Sequence, residues 1–209
     1  MAGTGAPGAP HVPPELEQQI EDALEVLEKR ADGHLPLPAR RAVRAHFGDT
    51  DERGAGRRRL FDLYRRCVER VLAVWTSERA GDDRPARMIQ LAEGVMFGQL
   101  DEQDFKPEYD EFAVDLDDRN QELGPRVFAS GRAAADLVWS AATADYGDEI
   151  PAGADDEDLD LDMMSPDYFA SLAEASFFGE PDEDPEARRR FWRWYLDEAV
   201  PAAYRSVDG

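Results

Sequence analysis

The sequence predicts an all-α protein, and three features support this prediction. The β-branched residues that strands favour are scarce, with 12 Val, 3 Ile and 4 Thr in 209 residues. Apolar residues recur at spacings of three and four along most of the chain, and no long stretch alternates with period two. Many of the 14 prolines stand just ahead of such a periodic run, because the first helical turn tolerates a missing N–H.

Eight helices follow from these runs in chain order. Prolines 14, 38, 85 and 125 begin the first, second, fourth and sixth runs. The last two begin at Ser165-Pro166 and Asp184-Pro185, where a capping side chain precedes the proline and an acid in the first turn suits the helix dipole. The predicted ranges are 14–31, 38–47, 57–78, 85–98, 107–122, 125–145, 165–178 and 185–204.

The third helix indicates how the core is built. Its apolar residues form a wide stripe, which predicts packing on more than one side and a central position in a bundle. Cys67 lies inside this stripe, so we expect a buried and unreactive thiol. The stripe consists of Leu60, Phe61, Tyr64, Cys67, Val68, Val71, Leu72, Val74 and Trp75.

The chain is expected to form a single all-α domain of about seven or eight helices over residues 14–209. Residues 1–13 are rich in Gly, Ala and Pro, show no secretory signal, and are expected to form a disordered tail. An acidic loop is expected near residues 146–164, and the sequence leaves open whether this loop is ordered.

The net charge of −22 is concentrated in the middle of the chain. Residues 93–184 contain 27 acidic and 4 basic residues, whereas residues 39–90 contain 8 acidic and 13 basic residues. Such a charge repels nucleic acid and anionic membrane surfaces. Two interpretations remain open: the oppositely charged segments attract each other within one fold, or the acidic residues form a dedicated interaction face.

The sequence DDEDLDLD, residues 155–162, is the candidate partner-binding segment. Closely spaced carboxylates on a loop imitate phosphates and steer a basic partner, such as a nuclease active site. The alternative is a solvated loop that maintains solubility. The segment lacks the Gly and the Glu of a calcium loop, so a true EF-hand is not expected, although loose cation binding stays open. The candidate contact residues are Asp155, Asp156, Glu157, Asp158, Asp160 and Asp162.

The stretch RRRFWRWYLDEAVPAAY near the C-terminus places four aromatic residues in five positions. On a helix most of these rings belong to the core, but an exposed tryptophan would anchor a partner, which makes Trp192 and Trp194 further candidates for partner binding. Pro201 should kink or end the helix near residues 197–200. The arginine triplets at 57–59 and 188–190 are expected to pair with carboxylates rather than with phosphates.

No pattern predicts catalysis. His11, His34 and His46 show no paired metal-ligand spacing, and no glycine-rich phosphate loop or nucleophile motif occurs. A single cysteine, Cys67, fits a reducing cytoplasm and excludes an intrachain disulfide. We therefore expect no catalytic residues, no metal and no cofactor.

Two stretches, FWRWYLDEAVPAAY and RRRLFDLYRRCVERVLAVW, resemble the bacterial polymorphic-toxin immunity proteins of the Imm family numbered five. The matching pieces are residues 58–75, 85–100 and 191–203. The resemblance implies an all-α inhibitor of a cognate toxin encoded beside it. On this basis we expect a cytoplasmic protein that binds the toxin domain, binds neither nucleic acid nor membrane, and is monomeric when free. The alternatives are a helical adaptor or regulatory protein without a toxin partner, and a carboxylate- or metal-dependent enzyme.

Overall fold

The computed structural model describes residues 11–49, 54–143, 150–151 and 153–207, and these residues form helices and turns without any strand. The all-α prediction is confirmed. Short 3₁₀ turns occur at Ala45–Phe47, Asp156–Asp158 and Leu161–Met163. The helices are α1 (Pro14–Glu28), α2 (Leu37–Arg44), α3 (Ala55–Glu78), α4 (Arg84–Met96), α5 (Glu102–Asp118), α6 (Asn120–Leu123), α7 (Pro125–Ala142), α8 (Pro166–Ala175), α9 (Pro185–Trp194) and α10 (Val200–Arg205).

Two of the eight predicted helices are divided in the structure. The predicted start at residue 107 is wrong, because Asp101 and Asp104 form a capping box that begins α5 at Glu102 and leaves Pro107 inside the helix. Helix α5 ends at Asp118, and the short helix α6 begins at Asn120. The expected interruption near Pro201 takes the form of a π-helical turn, Tyr195–Ala199, between α9 and α10.

Helix α7 lies at the centre of the structure and packs against α3, α4, α5 and α8. Its small residues allow this close approach. A Cβ atom on Gly131 would lie 2.6 Å from Leu116 and 2.7 Å from Trp75, so only glycine fits there. The Ser130 hydroxyl donates a hydrogen bond to the Val71 carbonyl at 3.0 Å, which fixes the seam between α7 and α3.

The predicted stripe of α3 is largely buried, and Cys67 is fully enclosed within it. One large cluster of buried apolar residues extends from Val12 to Ala203, and a second, small cluster contains Leu37, Ile150 and Ala154. Of the predicted tail, residues 1–10 lie outside the described residues, whereas Val12 contributes to the core. Among the described helices, none is long and apolar enough to cross a membrane.

Candidate partner-binding surface

The acidic segment, residues 155–162, is folded into two short turns. In the first turn the Asp155 amide donates to the Asp158 carboxylate at 3.0 Å, as part of a reciprocal cap. In the second turn the Met163 amide donates to the Asp160 carbonyl at 2.9 Å. These bonds give the segment a defined backbone. Of the wider loop expected near 146–164, residues 146–149 and 152 lie outside the described residues.

Asp156 lies inside the protein, although the sequence suggested it as a contact residue. Its Oδ2 atom accepts hydrogen bonds from His34 Nε2 at 2.8 Å and from the Leu37 amide at 3.0 Å, and its Oδ1 atom accepts from Arg40. Burial opposes ionisation, but Arg40 and His34 outweigh it and hold the pKa of Asp156 below its ordinary range. The carboxylate is therefore used by the protein's own side chains.

Arg40 is the centre of this buried network and is 1% exposed. Its Nη1 atom donates to Ser165 Oγ at 3.0 Å and to Asp167 at 3.2 Å, and its guanidinium lies 5.3 Å from the centroid of a Trp192 ring. Asp167 also accepts from Arg44 at 3.0 Å. With Asp156, two arginines face two carboxylates, so the buried charges balance as burial requires.

The two tryptophans of the C-terminal stretch have different environments. Trp192 is fully buried against Arg40, so a partner reaches it only if the protein opens locally. Trp194 is half-buried, and the guanidinium of Arg70 lies 4.4 Å from its ring centroid. Arg70 also pairs with Glu174 at 2.8 Å. Trp194 is thus the tryptophan that a partner can contact without rearrangement.

Asp155 is half-buried and accepts from the Leu37 amide at 3.2 Å, whereas the remaining four carboxylates of the acidic segment face solvent. Glu157, Asp158, Asp160 and Asp162 are exposed, and none forms an ion pair with any residue that the structure describes. Leu161 lies between two of them and is 53% exposed. This part of the segment combines unpaired negative charge with an accessible apolar side chain, which are two properties of protein interfaces.

Helix α5 carries a second concentration of negative charge, with eight acidic residues and one lysine. Several of its carboxylates pair with neighbouring arginines, as Asp115 does with Arg84 at 2.8 Å. Glu111 and Asp118 on its outer face are exposed and have no ion pair within the described chain. Val114, between them, is 59% exposed.

One carboxylate of α5, Asp117, and one of the acidic segment, Asp162, both act on the buried Asp136 of α7. Asp136 is buried, pairs with Arg132 at 3.1 Å, and Arg132 lies 3.6 Å from Asp117 of α5. Burial raises the pKa of Asp136 to about 7; Arg132 opposes this rise, and the charges of Asp117 and Asp162 add to it. We call the exposed carboxylates of α5 and of the acidic segment together the acidic surface: Glu111, Asp117, Asp118, Glu157, Asp158, Asp160 and Asp162.

Sequence reasoning missed both Arg40 and Asp136. Asp136 had a detectable signal, because it is a lone acid in the apolar run AAADLVW, four residues after Arg132. A carboxylate at such a core position needs a cation nearby. Arg40 had no comparable signal, because its partners Asp156 and Asp167 are more than a hundred residues away in the sequence.

Arg57 and Arg59 of the first arginine triplet and all three arginines of the second are engaged within the protein. Arg188 pairs with Glu183 at 2.8 Å and donates to the Ser176 carbonyl at 2.9 Å, and Arg57 donates to the Ala141 carbonyl at 2.8 Å. Within the described ranges no group of three His, Cys, Asp or Glu side chains is arranged to hold a metal. Burial raises the pKa of the Cys67 thiol, which disfavours the nucleophilic thiolate.

Comparison with known families agrees with the resemblance seen in the sequence. The family model described as "Immunity protein Imm5" matches residues 20–202, which is most of the chain. The matched range contains α5, α7 and the acidic segment. No curated protein matches the sequence.

Proposed function

Since the chain belongs to the Imm5 family of immunity proteins, we propose that it binds a cognate toxin of a polymorphic toxin system in the bacterial cytoplasm and neutralises it. In this proposal the protein is a stoichiometric inhibitor that covers the toxin's active site and transforms no substrate. The family match supports the immunity role.

The observation that carries the proposed mechanism is the acidic surface. Two separate segments of the chain present exposed carboxylates, and one from each, Asp117 and Asp162, acts on the buried Asp136; the exposed carboxylates of the acidic segment form no ion pair among the described residues. A surface of one sign attracts a partner of the opposite sign and raises its association rate. Enzymes that act on nucleic acid carry basic active sites because their substrate is a polyanion. A toxin of this chemistry therefore fits the acidic surface.

Exposed apolar side chains within the same surface supply the second requirement of a stable complex. Leu161 lies among the carboxylates of the acidic segment, and Val114 lies between Glu111 and Asp118 on α5. Interfaces generally bury a few apolar anchors inside a polar rim, and these anchors supply much of the affinity. We propose that the carboxylates steer the toxin and that Leu161 contributes to holding it.

Co-expression tests the immunity role directly. The open reading frame next to the gene is expressed alone and together with this protein, and growth is recorded. We expect growth arrest with the neighbouring frame alone and rescue in the presence of this protein. If the neighbouring product is toxic and is not rescued, the proposed function is wrong, and a helical adaptor without a toxin partner becomes the better hypothesis.

Association kinetics test the acidic surface with a matched control. The triple variant Glu157→Gln, Asp160→Asn, Asp162→Asn removes three exposed charges that have no partner in the described structure. The control variant replaces three exposed carboxylates of α1 by glutamine and changes the net charge equally; these are Glu15, Glu17 and Glu21.

We expect the first variant to slow association with the toxin about tenfold at low salt and to reduce its salt dependence. The control should change the rate only slightly, because its charges lie on another helix. Equal effects of the two variants would show that net charge, rather than the acidic surface, determines the rate.

A further inference from the structure

Asp156 and Trp192 were expected to contact a partner, but both are buried and both contact the side chain of Arg40. Arg40 bonds the carboxylate of Asp156 on one side, and its guanidinium lies over Trp192 on another. Both residues are therefore separated from any docked partner by the protein itself. Arg40, the neighbour that Asp156 and Trp192 share, therefore connects the acidic segment to the core.

The contacts of Arg40 join the two ends of the acidic segment. Asp156 is at its start, and Ser165, which accepts from Arg40 Nη1 at 3.0 Å, lies just past its end and immediately before α8. Asp155 and Asp156 also accept the Leu37 amide at 3.2 and 3.0 Å, and Leu37 is the first residue of α2. The chain between the two ends therefore forms a closed loop around one buried guanidinium.

We infer that Arg40 is a positioning residue for partner binding, which closes the acidic segment from inside and holds its exposed carboxylates in the shape that the toxin recognises. This inference rests on the proposed function. A segment that is already ordered does not lose conformational freedom when it binds, so its complex dissociates more slowly. We call the bonds from Arg40 to Asp156 and Ser165 the clamp. Long-range steering of the toxin depends on charge more than on shape, so we expect the association rate to survive loss of the clamp.

Hydrogen–deuterium exchange on the free protein tests the clamp without a partner. In Asp156→Asn, we expect the amides of Asp158, Leu159, Met163 and Met164 to exchange at least tenfold faster than in the wild type, because they are bonded only within the turns. Amides in the middle of α7 should be unchanged. The exposed variant Asp160→Asn serves as the control and should leave the exchange pattern as it is.

A second variant keeps the test valid if Asp156→Asn unfolds the whole protein. Ser165→Ala removes the bond to Arg40 at the far end of the segment, together with the bond that the Ser165 hydroxyl donates to Asp167, and leaves the buried ion pairs in place. We expect faster exchange at Met163 and Met164, about threefold, with α3 and α7 unaffected. Wild-type exchange at these amides in the folded variants would overturn the inference.

Binding kinetics with the toxin encoded by the neighbouring frame separate positioning from general stability. For a folded clamp variant we expect a dissociation rate at least tenfold faster and an association rate within threefold of the wild type. This is the reverse of the expectation for neutralised exposed carboxylates. An unchanged dissociation rate would overturn the positioning role. Failure of the wild-type protein to bind the toxin would instead refute the proposed function, and the exchange result would still decide whether Arg40 holds the segment.

Discussion

Replacement of Asp136 by Asn should change the pH dependence of stability in a defined direction. Asp136 is buried in α7, and Arg132 is the cation that pairs with it, while Asp117 and Asp162 add negative charge nearby. The substitution preserves the size of the side chain and removes its ionisation. The substitution also weakens the contact with Arg132. Arg132 keeps its ion pair with Asp117 of α5, at 3.6 Å.

The size of this change in the free energy of unfolding follows from the difference between the pKa of Asp136 in the folded state and in the unfolded state. The pKa of Asp136 is raised from 3.8 to about 7, so the folded state binds this proton more tightly than the unfolded state. Asp136 therefore contributes more stability to the wild type as pH falls from 8 towards 4. Between pH 8 and pH 4.5 this one group changes the free energy of unfolding by about 3 kcal/mol. The Asn variant loses about 2 kcal/mol with the Arg132 bond, but it avoids the cost of the buried charge. That cost is about 4 kcal/mol in the wild type at pH 8 and is absent at pH 4.5, where Asp136 is protonated in the folded state.

Urea denaturation of both proteins, followed by helical circular dichroism at several pH values, measures this difference. We expect the Asn variant to be at least as stable as the wild type at pH 8 and clearly less stable at pH 4.5. Burial also lowers the pKa of His34, which reduces stability below pH 6.5, but this effect is common to both proteins and cancels. A wild-type-minus-variant difference that stays constant across this range would refute the reasoning.

Three further comparisons test the packing and the buried charges, each by urea or thermal unfolding. Gly131→Ala should cost about 2 kcal/mol because its Cβ meets Trp75 and Leu116, whereas Gly153→Ala, with open space around it, should cost little. Trp192→Ala should cost about 4 kcal/mol and the half-buried Trp194→Ala clearly less; equal losses would contradict the assigned burial. Asp167→Asn should cost about 3–5 kcal/mol above pH 4, and because Arg44 and Arg40 hold the pKa of Asp167 below its ordinary value against burial, the loss should shrink as pH falls below 4.

The fold was largely predictable because its helices depend on local signals. Periodic apolar residues and a leading proline placed α1, α4 and α7 with starts within one residue of the structure. The start of α5 was missed because two signals competed: Pro107 suggested a beginning, while the capping box at Asp101 extended the helix upstream. The π-helical turn before α10 keeps the chain helical through Pro201, which proline alone does not predict.

The binding surface was only partly predictable, because the sequence DDEDLDLD does not distinguish its own carboxylates. Asp156 and Asp158 have the same chemistry and nearly the same neighbours in sequence, yet one is buried and the other exposed. The difference arises from Arg40, which lies 116 positions from Asp156 in the chain. A charge count therefore overestimates the surface that is available to a partner, because each buried cation withdraws a carboxylate from it. In the positioning role that we infer for Arg40, the same buried pair also holds the backbone that presents the remaining carboxylates, so the pair that removes Asp156 from the surface gives the other carboxylates a defined arrangement.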